Sequence, residues 1–304
     1  MTFAELSKVW AQISCNSASY DPTNPGMKSL QQNVTASIVL FLLVLASSAS
    51  PTSAAWVREK GQAMLGVGAS YISANKVYDD AGKTSEIPRF TETALHLGGE
   101  YGITERFTAA AATSLLVLNT AEDTALMSTG RNYTGIGDSL VSGRYLLYSG
   151  AVLLSAGLEL GLPTGNKYAA IPAGDGEWSV LPRLSLAGGF NAGYQGFYLF
   201  SAAYHKRTVG YSDEVHAQAM TGARFGWVTL ILGLELRQSL KNGEAAALSN
   251  NPLYLNNASF ATFAPGFVFH ANEKLTLHLF YKGAMYVRNI LGAPSLSAGV
   301  SYVL

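Results

Sequence analysis

From Gly61 to its C-terminus the chain repeats one pattern: segments of about ten residues with apolar side chains at alternate positions, separated by clusters of Gly, Asn, Asp and Pro. A period of two is the period of a β-strand, whose successive side chains point to opposite faces. Twelve strands are expected, at 61–75, 90–102, 107–118, 137–148, 151–162, 178–190, 196–207, 214–224, 227–238, 258–270, 275–287 and 295–304. Connections after the even-numbered segments are tight, as at Ser149-Gly150 and Phe225-Gly226. Those after the odd-numbered ones are long and polar, as at 76–89, 119–136, 163–177 and 239–257. An even strand count, loops sorted by length and both termini on the short-turn side describe an all-β fold, a transmembrane antiparallel up-and-down β-barrel with short periplasmic turns and long extracellular loops. A soluble sandwich has no reason to sort its loops this way.

The alternation also says which face meets lipid. In 227–238, Leu230, Leu232, Leu234 and Leu236 share one face, and Thr229, Ile231, Gly233, Glu235 and Arg237 the other. A charge on the leucine face at mid-bilayer would cost ~2–4 kcal/mol, so the leucines point outward. Segment 275–287 repeats this with Leu275, Leu277, Leu279 and Tyr281 against Thr276, His278 and Lys282. Aromatic outer-face positions, Tyr198, Phe200, Tyr204, Phe263, Phe267 and Phe269, suit the lipid headgroup levels. The composition agrees: 48% apolar residues with 13% charged is half the usual charge content of a soluble domain, yet the longest apolar run has too few residues for a membrane helix. Zero formal net charge, with 20 bases and 20 acids, excludes a nucleic-acid binder.

That apolar run, 36–46, follows a short basic start at Met27-Lys28 and precedes the small residues 47–55. Charge, apolar stretch and small residues in this order read as a secretory signal peptide cleaved after Ala54 or Ala55. The expected organisation is therefore an N-terminal extension and signal peptide at 1–55, then a single barrel domain at 56–304. The single cysteine, Cys15, belongs to the leader, so the exported chain carries no disulfide. The last strand, Ser295 to Leu304, looks like the C-terminal strand by which outer-membrane proteins are recognised for assembly, with Leu304 where an aromatic residue is usual.

The same parity turns five acids, Glu92, Glu100, Asp138, Glu159 and Glu235, and five bases, Arg144, Arg183, Arg224, Arg237 and Lys282, into the lumen. Two readings stay open: an ion-paired network that fills a narrow barrel, because pairing offsets part of the cost of burying charge, or a polar conduit for solute and water. All five histidines, His96, His205, His216, His270 and His278, also come out inward. They sit on five strands without HxH or HxxxH spacing, so polar lining rather than a metal site is expected. No G-x-S-x-G elbow, phosphate loop or C-x-x-C is present, and no histidine faces lipid, where a lipid-modifying enzyme would need one. Asp79-Asp80 with Gly82 reads as a solvated turn.

Two segments carry a family resemblance. Thr134-Gly-Ile-Gly-Asp138 opens a strand ending in Arg144-Tyr145, and Leu158-Glu-Leu-Gly-Leu-Pro-Thr-Gly165 follows. Together they resemble the family of outer-membrane transporters named for the meta-pathway of phenol degradation, in which a G-x-G-D strand start precedes a P-T-G turn. The resemblance implies passage of small, often apolar or aromatic compounds across the outer membrane, and a structural role for Asp138 and the Pro163-Thr164-Gly165 turn. The function expected is thus a channel or transporter for small solutes in the cell outer membrane, without a cofactor or catalysis. Its rivals are a structural or adhesive barrel with a plugged lumen and an outer-membrane lipid-modifying enzyme. Expected partners are outer-membrane lipid, a small-molecule solute and the outer-membrane assembly machinery, with no nucleic acid; the oligomeric state is left open.

Overall fold

The structure, a computed structural model, describes residues 55–126, 128–244 and 251–304. The leader expected at 1–55, apart from Ala55, and Cys15 lie outside these residues. Fourteen strands follow in order: β1 (Ala63–Tyr78), β2 (Thr84–Thr104), β3 (Phe107–Asp123), β4 (Ser128–Ile136), β5 (Ser139–Ser149), β6 (Leu153–Leu162), β7 (Ser179–Asn191), β8 (Gln195–His205), β9 (Glu214–Phe225), β10 (Val228–Ser239), β11 (Ser259–His270), β12 (Leu275–Arg288), β13 (Ile290–Leu291) and β14 (Ser295–Val303). Each pairs antiparallel with its neighbours, and β1 pairs with both β2 and β14, which closes the sheet. Strand β4 continues into β5 across Gly137-Asp138, and two-residue β13 only extends the rim beside β1, so the closed barrel has twelve staves, the expected number.

The expected long connections at 76–89 and 119–136 are instead mostly strand. There β1 and β2 pair up to Tyr78 and Thr84, and β3 and β4 form a hairpin that reaches Asp123 and Ser128. The physical reason lies in what polarity marks. Once a strand leaves the hydrocarbon its outer face no longer needs apolar side chains, but its backbone ladder continues to gain from pairing. Thr84, Ser85, Thr120 and Thr129 therefore extend the sheet past the expected strand ends. Asp79 closes the first hairpin by accepting the backbone N–H of Lys83 at 2.7 Å, with Gly82 at φ 79°. The expected loops at 163–177 and 239–257 remain irregular where described.

The register fixes the two faces. Leu230, Leu232, Leu234 and Leu236 lie outward and exposed, as do Leu184, Phe200, Phe267, Leu277 and Leu279. At the short-turn end Phe225 and Trp227 flank Gly226, which takes φ 59° in the tight β9–β10 turn. Trp227 packs on Phe269 at 5.6 Å and Tyr194 on Phe225 at 5.4 Å, a ring of amphipathic and apolar rings at a headgroup level. No helix among the described residues is long and apolar enough to cross a membrane.

Candidate functional site: the barrel lumen

At the short-turn end the segment ahead of β1 enters the lumen. Ser155 donates its hydroxyl to the carbonyl of Ala55, and Trp56 meets Phe197 edge to face at 5.7 Å. Ala55 packs with Ala187, Leu199 and Met220, with Ile231 alongside. These are inward positions of β7, β8, β9 and β10, which the alternation alone would leave for polar lining. They are apolar because they cover the inserted segment. The backbone N–H of Arg58 then bonds Thr108, and Gly61 and Gly102 exchange backbone bonds with their neighbours, which leads the chain up the wall into β1.

Above this closure runs a belt of ion pairs. Glu100, 3% exposed at its side chain, receives Arg58 Nε at 2.8 Å and faces Arg144 Nη2 at 3.5 Å. Arg183 Nε donates to Glu159 at 2.8 Å and its Nη1 to Ser201 at 3.2 Å. Lys282 reaches across β11 to Glu235 at 2.9 Å. His96 sits between the hydroxyls of Ser70 and Ser114, at 2.9 and 2.7 Å, and His278 lies over Gly299, where a Cβ would come within 1.9 Å of its Nε2. Four of the expected lumen charges stand apart from the belt: Asp138 and Arg237 at the loop end, described below, and Arg224 and Glu92. Arg224 turns its Nε onto the carbonyl of Gly226 at 3.0 Å, at the short-turn rim. Glu92 has no hydrogen bond or ion pair among the described residues and lies toward the loop end, opposite Ile72 and Leu118.

The loop end is closed a second time. Residues 163–178 fold inward so that Ile171 and Ala173 pack on Phe90, Ala94, Leu116 and Leu118, with Leu253 from the β10–β11 loop beside them. Three contacts fasten the closure: Asn251 donates to Pro172 O at 2.7 Å, Tyr254 to Ala173 O at 3.1 Å, and Tyr211 to Tyr254 O at 3.2 Å. Burial, with Asp175 nearby, pushes the Tyr211 phenol up to about 12; burial likewise raises that of Tyr254, so both remain donors across the ordinary pH range. Asp138 anchors the base of the loop. It accepts the backbone N–H of Gly165 at 2.9 Å and of Asp175 at 3.2 Å, while Thr164 donates to Gly137 O at 2.8 Å. A Cβ at Gly165 would sit 2.6 Å from Ala173 O, so the turn needs glycine there. In this way the two Gly-rich segments of the sequence meet and fold one loop into the mouth.

Beside this loop lies a cluster that the sequence reading missed. Arg207, between β8 and β9, binds Glu177, Asp175 at 2.9 Å and Glu214 at 3.0 Å, and stacks over the Tyr211 ring at 4.3 Å. Asp213 is held below the usual carboxylate range although burial opposes this, because the Arg207 N–H and the Lys206, Asn242 and Tyr204 side chains all donate to it. Arg237 brings its Nε to 3.6 Å from Glu214 and stacks over Phe260 at 5.0 Å. Glu214 and His216 occupy alternate positions of β9, a spacing that marks a shared face; the expected strand at 214–224 contains both, but Glu214 is not among the acids assigned to the lumen.

No protein-family model matches the chain, and a search of curated proteins finds no match. Among solved structures the chain is similar to an outer membrane channel from Pseudomonas putida F1, at 18% identity with a TM-score of 0.63, covering 84% of this chain and all of that one. It is also similar to the translocator domain of the autotransporter NalP from Neisseria meningitidis, at 14% identity and TM-score 0.45 over 90% of this chain and 97% of that one. A third likeness is to the NanC porin, at 11% identity and TM-score 0.46 over 78% and 98%. At these identities what the chain shares with the Pseudomonas putida channel is the fold, that of an outer-membrane β-barrel.

Proposed function

We propose that the chain is an outer-membrane channel for small solutes of apolar or aromatic character, described here in a closed state. The observation that carries this reading is the alternation of surfaces along the lumen: an apolar cluster at each end, with a band of paired charges between them. A pore for ions or sugars gains nothing from two apolar constrictions, whereas an apolar solute partitions into each of them and loses little where they part. The charges of the band are already paired, so they hold the wall in shape and present no net field to a neutral solute. Export, residence in the outer membrane and assembly by its machinery belong to the same proposal, as does the likeness of the Gly137-Asp138 and Pro163-Thr164-Gly165 segments to the phenol meta-pathway transporters.

Liposome flux tests it. Vesicles carrying the purified barrel should take up a small aromatic such as phenol or toluene faster than empty vesicles, with little gain in the rate for a sugar of similar size. The plugged structural barrel is favoured by the closure at both ends, and it predicts no gain for either solute, even after the inserted loop is shortened.

A further inference from the structure

The β8–β9 edge of the mouth holds a constellation distinct from the two apolar closures and the belt of ion pairs. His205 ends β8 and Glu214 faces it in register at the start of β9; His216 follows two residues later on the same inward face. Glu214 Oε2 lies 3.3 Å from His205 Nδ1 and 2.8 Å from His216 Nε2, and the three ligand atoms fall within 4.8 Å of one another. The two imidazoles approach edge to face, with centroids 5.2 Å apart, so their nitrogens converge on one oxygen. For metal–ligand bonds of about 2.1 Å a tetrahedron has edges of about 3.4 Å; the His205–Glu214 separation of 3.3 Å meets this, and small side-chain adjustments bring the 2.8 Å His216–Glu214 contact and the two nitrogens, within 4.8 Å of one another, to it. Side-chain exposures of 15%, 1% and 11% for His205, Glu214 and His216 show the group to be largely shielded from water.

We propose that His205, Glu214 and His216 form a binding site for a divalent transition metal of the zinc class. Two imidazoles and a carboxylate suit zinc, nickel or copper; calcium and magnesium, which prefer all-oxygen shells, are not expected. The surroundings orient the ligands. Arg207 Nη1 holds the other carboxylate oxygen, Oε1, at 3.0 Å, which fixes the Glu214 plane and leaves Oε2 for the metal. Charge balance permits the ion. Arg237, whose Nε lies 3.6 Å from Glu214 Oε2, opposes it, but Asp175, Glu177 and Glu214 outnumber Arg207 and Arg237 when both imidazoles are neutral. Binding displaces any proton on the ligating nitrogens and replaces two hydrogen bonds to Oε2 with metal bonds.

The test uses the full-length barrel, stripped with chelator and titrated with cobalt(II) as a visible probe and with zinc in competition. One equivalent should bind, with a d–d spectrum of low-coordinate character, and X-ray absorption of the zinc form should show nitrogen and oxygen neighbours at about 2.0–2.2 Å. Replacing His205→Gln or His216→Gln should weaken binding by more than about tenfold, while His96→Gln, on the far wall, should leave it unchanged. Heat-dependent gel mobility checks that each variant is a folded barrel; should one fail to fold, the other and the wild-type absorption data still decide. Absence of stoichiometric binding in the wild type, or binding that survives both substitutions in folded protein, overturns the proposal.

Discussion

At the scale of single residues the barrel separates two kinds of cost. On the outer face the solvent is hydrocarbon, and Leu234, 44% exposed, stands at the centre of β10. Leu234→Arg should destabilise the folded barrel by ~2–4 kcal/mol in lipid, read as a lower urea midpoint in tryptophan fluorescence, with a smaller effect for the same change at Leu230 nearer the short-turn rim. On the inner face the cost is that of stranding a charge. Glu100→Gln removes the carboxylate that Arg58 and Arg144 share. Breaking a buried pair typically costs ~3–5 kcal/mol, and the low end is expected here because Arg58 keeps 23% side-chain exposure. Converting both sides at once, Glu100→Gln with Arg144→Gln, should recover part of the loss in the same unfolding measurement, since the second change removes one of the stranded cations.

At the scale of elements, the strands were legible and the lumen contents only partly so. Period-two patterning placed all twelve staves because lipid imposes one rule along the whole outer surface; the leucines of β10 and β12 obey it without exception. Above the membrane that rule lapses, which is why the outer ends of β1 to β4 read as loop. Inside the barrel, parity locates a side chain but not its partner. It turned Glu159, Arg183, Glu235 and Lys282 into a common lumen, yet the pairing Lys282–Glu235 skips a strand and depends on barrel curvature. It could not foresee that Ile171, Ala173 and Leu253, in segments with no periodicity, are the true neighbours of Phe90 and Leu118. The loop closure they form rests on phenol donors, and so carries a pH limit. An acid whose folded pKa is raised stabilises the fold below its unfolded value, near 10 for Tyr, and loses that contribution as pH rises through the folded value, about 12 for Tyr211. The closure should therefore loosen between about pH 10 and 12. Tyrosinate absorbance should show a late phase that Tyr211→Phe and Tyr254→Phe each diminish; a wild-type titration complete by pH 10.5 would contradict this.

At the scale of the whole molecule, the two closures stand in series along one lumen. The short-turn end is shut by residues 55–60 against Ala187, Leu199 and Met220, and the loop end by residues 163–178 against Phe90 and Leu118. Resistances in series add, so the larger one sets the flux while it remains. Removing residues 56–60 alone, or replacing 166–174 by a short Gly-Ser link alone, should change the conductance of the barrel in planar bilayers only modestly. Removing both should raise it by far more than the product of the two single effects. That supermultiplicative response separates a conduit with two gates from a barrel with one plug, in which one of the single deletions would give the full increase. It also separates both from a filled barrel, because the paired charges Glu100–Arg144, Glu159–Arg183 and Glu235–Lys282 stay in place in every variant and would block the double deletion as effectively as the parent. Single-channel recording of the four proteins side by side decides among the three arrangements.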